Sequence, residues 1–397
     1  MRRARPISRV WVLLGLLLTG AGHAQELAAQ ELRAQELAAQ ELAAPALPDV
    51  AGKSFFLMDA WSGEVLAENA GRERLAPASL TKLMTGYAVF KALAHGKIAL
   101  DDRVVVSEKA WRMTGSRMFI EVDTDVAVDD LIHGMIIQSG NDASVALAEH
   151  VAGSVDAFVE LMNEYAAALG MTDTQFRNPT GLPARDHYSS ARDLAVLSRA
   201  IVAEFPDRYG LYREREFTYN SIKQHNRNAL LWRDENVDGL KTGHTNAAGY
   251  CLVASAERGG MRLIAVVLGM QTPKARTDAA QALLDYGFAA FETHKIYARG
   301  EPVTAARVWK GEPHAVALGL DEDLYVTVPR GTYGELAATL ELLRDLVAPL
   351  DADAAVGRMQ ISFRGASRAV LPLKSLHPVS EAGLWTQMSD ELELWLE

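Results

Sequence analysis

The chain has 397 residues and a formal net charge of −11, and 49% of its residues are hydrophobic while 23% are charged. This composition is typical of a folded globular protein with room for two domains of about 150–200 residues each. No basic tract is present, which argues against nucleic acid as a partner, and the single cysteine, Cys251, excludes an intrachain disulfide.

The N-terminus has the pattern of a secretory signal peptide over residues 1–24. Four arginines precede a short apolar run at 10–18, and Gly22 and Ala24 supply the small residues of a cleavage site. A membrane span needs about 20 apolar residues, so an uncleaved anchor is the less favoured alternative. Cleavage removes four arginines and no acidic residue, which changes the net charge from −11 to −15. We therefore expect an exported, periplasmic protein.

Residues 25–49 form a low-complexity linker in which a QELAA-type pentapeptide is repeated before Pro45. A five-residue period matches neither the 3.6-residue turn of an α-helix nor the 3.5-residue period of a coiled coil. We interpret the repeats as a spacer between the export signal and the folded protein.

The folded part begins with two predicted strands, 53–59 and 63–68, joined by a turn around Ser62. A buried helix is predicted to follow Ser79. The apolar pattern over 126–138 predicts another helix. Cys251 lies in a predicted strand over 250–256, where a buried and inert thiol is expected.

The first candidate motif is Ser79-x-x-Lys82 at the start of a helix. Residues i and i+3 of a helix lie on one face, so the Ser79 hydroxyl and the Lys82 amine can meet. A serine needs a nearby base to become a nucleophile, and a partly buried lysine near other cations can have a pKa low enough to serve. Taken alone, the pair is better interpreted as a helix N-cap and a solvated lysine.

The second motif, Ser139-Gly140-Asn141, lies at a predicted junction between two helices, where the glycine would allow a tight bend. Ser139 could relay a proton between Ser79 or Lys82 and a leaving amine, and Asn141 could hold Lys82 and a substrate carbonyl. A helix C-cap followed by a new N-cap explains the triplet as well.

The third motif, Lys241-Thr242-Gly243-His244, is predicted on an edge strand. A substrate can pair its backbone with such a strand, and Gly243 leaves room for it. Lys241 and Thr242 can bind an anionic carboxylate. The backbone N–H of His244 would face that of Ser79 and form a two-donor oxyanion hole. The alternative is a β-turn with exposed polar residues.

The three motifs occur in this order, 60 and then 102 residues apart. They are the set found in penicillin-recognising serine enzymes. Each motif alone has an ordinary structural explanation, but their joint occurrence favours an acylation site in a cleft between a helical region and an edge strand.

The sequence around the motifs extends this likeness over most of residues 50–375. It includes PASLTKLMT, IIQSGNDASVALAEHVAGS, YSSARDLAVLSRAI, NRNALLW and VDGLKTGHTNAAGY. The chain resembles the D-alanyl-D-alanine carboxypeptidases of peptidase family S11, the class A low-molecular-mass penicillin-binding proteins. The resemblance implies an α/β (α+β) domain of the serine β-lactamase/transpeptidase type over 50–290, with a five-stranded antiparallel sheet and helices.

The resemblance also implies roles for particular residues. The catalytic residues would be Ser79, Lys82 and Ser139, and the substrate-binding residues Asn141, Lys241, Thr242, Gly243, His244, Arg276 and Arg227. Arg276 matches a family arginine that helps bind the terminal carboxylate. Arg227 matches a second arginine near the cleft, although the segment from it to Lys241 is one residue shorter here. A surface salt bridge is the alternative for each arginine. No cofactor or metal is implied.

The implied activity is removal of the terminal D-alanine from peptidoglycan pentapeptide stems, a step in peptidoglycan biosynthesis and cell shape, with β-lactam antibiotics as acylating inhibitors. A β-lactamase is the close alternative, but class A β-lactamases usually have S-D-N in the second motif and carry a deacylating glutamate on an Ω-loop. The corresponding segment here, 180–191, contains no glutamate, although Asp186 could assist deacylation. A catalytically idle peptidoglycan-binding scaffold is the other alternative, and endopeptidase and transpeptidase activities share the same acyl-enzyme.

The C-terminal part changes character after Phe291. Short predicted strands at 303–309, 315–318, 324–329, 337–343 and 357–363 indicate a small all-β domain over 291–376. The tail over 377–397 has one apolar helical face, made of Leu384, Trp385, Met388, Leu392, Trp395 and Leu396. The tail is acidic, whereas anionic lipid attracts basic segments. Weak peripheral contact with the inner membrane is favoured, with docking on the protein itself or a partner as the alternative.

Overall fold

The computed structural model describes residues 45–396. The predicted signal peptide and the QELAA repeats lie outside these residues. The strands are β1 (Ser54–Asp59), β2 (Val65–Asn69), β3 (Arg103–Val105), β4 (Asp125–Ala127), β5 (Glu216–Tyr219), β6 (Ile222–His225), β7 (Val237–Thr245), β8 (Gly249–Arg258), β9 (Met261–Met270), β10 (Phe291–Tyr297), β11 (Pro302–Trp309), β12 (Gly311–Glu312), β13 (Ala315–Gly319), β14 (Leu324–Pro329), β15 (Leu336–Leu342), β16 (Leu346–Val347), β17 (Ala355–Phe363), β18 (Ala366–Ser375) and β19 (Ser380–Glu381).

The α-helices are α1 (Lys82–Ala94), α2 (Glu108–Trp111), α3 (Val128–Ile136), α4 (Asn141–Ala152), α5 (Val155–Ala168), α6 (Ala191–Glu204), α7 (Pro206–Tyr209), α8 (Leu230–Arg233), α9 (Pro273–Ala290) and α10 (Leu384–Leu396). Short 3₁₀ helices span Ala78–Thr81, Gly210–Arg213 and Tyr333–Glu335.

The first sheet has five antiparallel strands, as the resemblance implied, and their order is β2-β1-β9-β8-β7. The predicted hairpin of β1 and β2 is confirmed, and β7, which carries the third motif, lies at an edge. Both faces of the sheet are covered, because successive side chains of a strand point to opposite faces. One face packs on the helical region through Phe56, Val253 and Val266. The other packs on α9 through Leu283 and Phe288.

The helix predicted over 126–138 is shorter in the structure. Residues Asp125–Ala127 pair with β3 as a strand, and α3 begins only at Val128. The apolar pattern is continuous because Val126 and Val128 are both buried, one from the strand and one from the helix. The continuous apolar pattern of strand β4 and helix α3 was therefore interpreted as a single helix.

The C-terminal part is all-β with its own core, as predicted. Its six-stranded sheet has the order β15-β17-β18-β13-β11-β16. The five predicted strands are present, but β10, β18 and the two-residue strands β12, β16 and β19 were missed. Pro372 lies inside β18 and pairs with Arg358 of the neighbouring strand, whereas a proline within an apolar run argues against an inner strand. Pairing continues past 376, since Ser380 and Glu381 form β19.

The turn after β1 joins the two parts through a buried hydroxyl network. The Asp59 carboxylate accepts hydrogen bonds from Ser62 Oγ at 3.0 Å and Thr293 Oγ1 at 2.8 Å. Thr327 Oγ1 lies 2.6 Å from Ser62 Oγ and 2.8 Å from Thr293 Oγ1. Asp59 is fully buried and also accepts from the backbone N–H groups of Trp61 at 3.0 Å and Ser62 at 2.7 Å, so these donors supply the partners that a buried polar group needs. The network fixes the C-terminal domain on the sheet of the first domain.

The tail forms helix α10, whose acidic side packs on the β domain. Asp390 is buried and accepts hydrogen bonds from the Lys310 backbone N–H and from Arg307. Glu393 pairs with Arg307 at 2.8 Å, and Glu391 pairs with Lys310. The predicted apolar face points outward, with Trp385 86% and Trp395 83% exposed. No helix among residues 45–396 is both long and apolar enough to cross a bilayer.

Candidate active site

A cavity of about 460 Å³ lies between edge strand β7, the Ser79 segment and the junction of α3 and α4. It is lined by Ser79, Gly115, Ser116, Ser139, Asn141, Gly181, Leu182, Arg227, Thr242, Gly243, His244, Thr245, Tyr250 and Arg276. The three sequence motifs thus meet at one cleft. The lining residues in the described part of the chain include two arginines and no carboxylate.

Ser79 sits in the 3₁₀ helix that leads directly into α1. Two glycines press against the backbone beside it. A Cβ atom at Gly181 would lie 1.8 Å from the Ala78 carbonyl oxygen, and one at Gly243 would lie 3.2 Å from the Ser79 nitrogen. Ala78 itself has a φ of +48°, a backbone conformation that residues other than glycine rarely adopt. The backbone that presents Ser79 is therefore held from both sides.

Lys82 lies one turn beyond Ser79 and is 2% exposed. Its Nζ is 3.1 Å from Ser79 Oγ, 2.7 Å from Asn141 Oδ1 and 2.6 Å from the Thr180 carbonyl oxygen. Burial, followed by the positive charge of Arg227, lowers the pKa of Lys82 to about 7, and the Asp142 carboxylate opposes this shift. Near neutral pH a substantial fraction of the Lys82 amine is therefore uncharged.

The second motif lies between α3 and α4, as predicted, but the bend is made differently. Ser139 has a φ of +66°, whereas Gly140 has a φ of −58° that any residue can adopt. The serine, not the glycine, therefore takes the left-handed conformation. The Ser139 hydroxyl is buried and has no hydrogen-bond partner among residues 45–396. Asn141 reaches Lys82 with its oxygen and donates from Nδ2 to the Thr114 carbonyl at 2.6 Å.

The third motif runs along β7 with Lys241 and Thr242 buried. Burial and the charges of Lys82, Arg227 and Arg276 lower the pKa of Lys241 well below its ordinary value. His244 is exposed at the cleft mouth, and its ring stacks on Tyr250 with centroids 4.0 Å apart. The strand therefore carries a buried lysine, Lys241, and its His244 forms an aromatic pair with Tyr250 of β8 at the mouth of the cleft.

The two predicted arginines both line the cleft. Arg276 is buried in the first turns of α9 and donates to the Gly243 carbonyl at 3.2 Å and the Cys251 carbonyl at 3.4 Å. Arg227 donates to Ser116 Oγ at 2.8 Å across the cleft. Neither arginine forms an ion pair within the described residues, so both charges are available to an anionic ligand.

Comparisons with known proteins agree with this geometry. The family model for D-alanyl-D-alanine carboxypeptidases (Peptidase S11) matches residues 39–272, and the model for the C-terminal domain of penicillin-binding protein 5 matches residues 291–381. The chain belongs to the D-alanyl-D-alanine carboxypeptidase family. The sequence predictions of the family, the fold class and the enzyme class are thereby confirmed.

Individual relatives of this carboxypeptidase cover most of its length. It is 43% identical to the D-alanyl-D-alanine carboxypeptidase DacA of Haemophilus influenzae over 87% of this chain and 90% of the relative. It is 45% identical to DacC of Escherichia coli over 86% and 88%. The crystal structure of penicillin-binding protein 5 from Haemophilus influenzae superposes with a TM-score of 0.79, at 43% identity, over 85% of this chain and all of the other.

Several residues that line the carboxypeptidase cleft or contact its catalytic groups were not predicted from the sequence. Thr180 contacts Lys82 through its backbone carbonyl, which residue type does not reveal. Ser116 and Tyr250 line the cleft but belong to no motif. Asp186, suggested for deacylation, is exposed, pairs with Arg185 and is not among the lining residues. Cys251 is buried, as predicted, and burial raises the pKa of its thiol.

Proposed function

We propose that this carboxypeptidase removes the terminal D-alanine from peptidoglycan pentapeptide stems through an acyl-enzyme on Ser79. β-Lactams acylate the same serine. One observation carries the proposal: the buried Lys82 amine lies within hydrogen-bond distance of Ser79 Oγ and is held there by two carbonyl oxygens.

The contacts of Lys82 make it the base in this proposal. The Asn141 and Thr180 oxygens can only accept hydrogen bonds. A neutral amine has two N–H groups and one lone pair, so donating to both carbonyls leaves the lone pair facing Ser79. The serine then donates its proton to Lys82 as Oγ attacks the penultimate carbonyl.

The oxyanion hole consists of the backbone N–H groups of Ser79 and His244. The close approach of Gly243 to the Ser79 nitrogen supports this assignment, because it brings β7 alongside the nucleophile. Two preorganised donors stabilise the charge that develops on the carbonyl oxygen.

The terminal carboxylate of the substrate binds Thr242, Lys241 and Arg276. An anion suits this end of the cleft because the lining arginines have no acidic partner within the described residues. Arg227 adds a second positive charge at the opposite wall. The buried Ser139 hydroxyl, free of other hydrogen bonds in the described chain, relays the proton from Lys82 to the departing D-alanine, and Asn141 orients Lys82.

Export and placement form the second part of the proposal. Residues 1–24 are a signal peptide, 25–49 a linker, 50–290 the catalytic domain, 291–376 the β domain and 377–397 the tail. The enzyme acts in the periplasm, where peptidoglycan trimming contributes to cell shape. Helix α10 lies on the outer face of the inner membrane. Its exposed tryptophans support this, since its acidic residues are already paired with Arg307 and Lys310.

The test measures D-alanine release from a pentapeptide stem and adduct formation with penicillin. The wild type should release D-alanine and gain a penicilloyl adduct on the peptide that contains Ser79. Ser79→Ala should do neither. Lys82→Ala should remain folded and lose acylation. An adduct on another residue, or normal acylation of Lys82→Ala, would contradict the assigned roles. Absence of D-alanine release by the wild type would favour the scaffold alternative.

A further inference from the structure

Asp142 follows the second motif directly and is completely buried in the first turn of α4. Its carboxylate accepts backbone hydrogen bonds from Met118 at 3.0 Å, Phe119 at 2.9 Å and Ile120 at 3.4 Å, and from Ala143 at 2.9 Å. All these donors are neutral N–H groups. Such a set, with the positive end of the helix dipole, stabilises a buried carboxylate.

Three of the donors belong to loop 114–120, which forms one wall of the cleft. Gly115 and Ser116 of this loop line the cavity. The Ser116 carbonyl accepts from the Asn141 backbone N–H at 2.7 Å, and the Ser116 hydroxyl accepts from Arg227. The loop is therefore held by two neighbouring residues, Asn141 and Asp142, and in turn holds Arg227.

Loop 114–120 is strained where it donates hydrogen bonds to the Asp142 carboxylate. Phe119 has a φ of +70°, a backbone conformation that is unfavourable for a residue other than glycine. An asparagine in place of Asp142 would offer one oxygen to these donors and turn an NH₂ group toward the others. Only a carboxylate has two oxygens that can accept hydrogen bonds from all four N–H groups.

The Asp142 carboxylate also restricts which residue can occupy position 140. A Cβ atom at this position would lie 2.8 Å from Asp142 Oδ1. Since its backbone conformation does not require glycine, the missing side chain makes room for the carboxylate. The motif and Asp142 thus form one packed unit.

We propose that Asp142 is a positioning residue for the acylation reaction: it fixes loop 114–120 as the cleft wall and adds a negative charge next in sequence to Asn141, which contacts Lys82. The inference rests on the proposed function for the identity of the reaction. It adds a residue that touches neither substrate nor nucleophile and acts through Ser116, Asn141 and Lys82.

The test is Asp142→Asn in the full chain, assayed by penicillin acylation against pH and by peptide hydrolysis. The Asp142 charge raises the pKa of Lys82, so its loss lowers that pKa and the acylation midpoint should move to lower pH. Loosening of the wall that holds Arg227 should raise KM for the peptide by about tenfold or more. Amide exchange at 118–120 should accelerate.

Asp193→Asn is the matched control. Asp193 is also fully buried in the first turn of a helix, α6, where it accepts hydrogen bonds from the Asp173 backbone N–H and Thr174 Oγ1, both at 2.8 Å, and pairs with Arg192 at 3.3 Å. Neither Asp142 nor Asp193 lines the cleft, but the partners of Asp193 lie outside loop 114–120. This variant should lose comparable stability and keep the wild-type midpoint. An unchanged midpoint in Asp142→Asn, or equal effects in both variants, would overturn the proposal.

Two further measurements keep the outcomes distinct. If Asp142→Asn does not fold, Gly140→Ala is the second variant, because its added methyl group displaces the Asp142 carboxylate and retains its charge. This variant should raise KM for the peptide and accelerate amide exchange at 118–120. Wild-type values of both would overturn the proposal. If wild-type protein is not acylated at Ser79, the proposed function fails. In that case, slow amide exchange at 118–120 in the wild type that becomes fast in Asp142→Asn would still support the anchoring of the loop by Asp142. Equal exchange rates in the two proteins would refute this anchoring.

Discussion

Acylation of Ser79 by penicillin should depend on pH through Lys82. The pKa of this lysine is lowered from 10.5 to about 7, a bias of about 5 kcal/mol toward the neutral amine at 1.36 kcal/mol per pH unit. Half of the lysine is then neutral at pH 7 and about 1% at pH 5, whereas an ordinary lysine would be only about 0.03% neutral at pH 7. The acylation rate constant should rise about tenfold per pH unit below 7 and level off above it.

The assay is stopped-flow acylation with a chromogenic or fluorescent penicillin between pH 5 and 9.5. Arg227→Gln provides the perturbation, because Arg227 lowers the pKa of Lys82. Its removal should move the midpoint to higher pH. Arg358→Gln, in the β domain, is the control and should leave the midpoint in place. A rate that is flat between pH 5 and 8, or still rising through pH 9 in wild type, would refute Lys82 as the base.

Three further outcomes are expected. Arg276→Ala should raise KM for peptides with a free terminal carboxylate by about 10–100-fold, since a charge-assisted hydrogen bond contributes about 1.5–3 kcal/mol; a C-terminally amidated peptide, measured in parallel, should be little affected, and an equal loss would contradict carboxylate binding. Burial, with the charge of Arg177, lowers the pKa of His187 to about 4; because the unfolded histidine titrates near 6.5, stability is full above pH 6.5 and should fall by about 3 kcal/mol toward pH 4. Urea unfolding should show this slope in wild type and a flatter one in His187→Gln. Replacing Trp385 and Trp395 together by serine should reduce cosedimentation with phospholipid vesicles and leave D-alanine release from a soluble pentapeptide unchanged; undiminished cosedimentation would count against membrane contact through α10.

The fold class could be predicted because the three motifs and the sequence around them carry the resemblance to a family of known fold. Two short strand-like runs around a turn predicted β1 and β2, the third motif was placed on an edge strand, and the three motifs together implied a cleft. Strand β18 was missed because Pro372 breaks the expected pattern of an inner strand. Its neighbours in the sheet, which tolerate the proline, become apparent only in three dimensions.

The chemistry of the cleft was less predictable than its outline. Thr180 contributes a carbonyl oxygen, which every residue possesses. The bend in the second motif was assigned to Gly140, but Ser139 takes the left-handed conformation. Glycine is needed at 140 for space beside Asp142, a constraint between side chains that local propensity does not contain. The tail's acidic residues argued against a membrane in the sequence, and in the structure Asp390, Glu391 and Glu393 pair with Arg307 and Lys310 of the β domain.

The two glycines that press on the Ser79 segment also restrict how this protein can evolve. A side chain at Gly181 or Gly243 would meet backbone atoms, which have no rotamer that could yield. Any substitution there that displaced the nucleophile would affect an antibiotic and the natural stem alike. Point mutations that reduce β-lactam acylation while preserving peptide cleavage are therefore expected at the rim of the cleft, at positions such as Leu182, Thr245 and Tyr250, and not beside the serine itself.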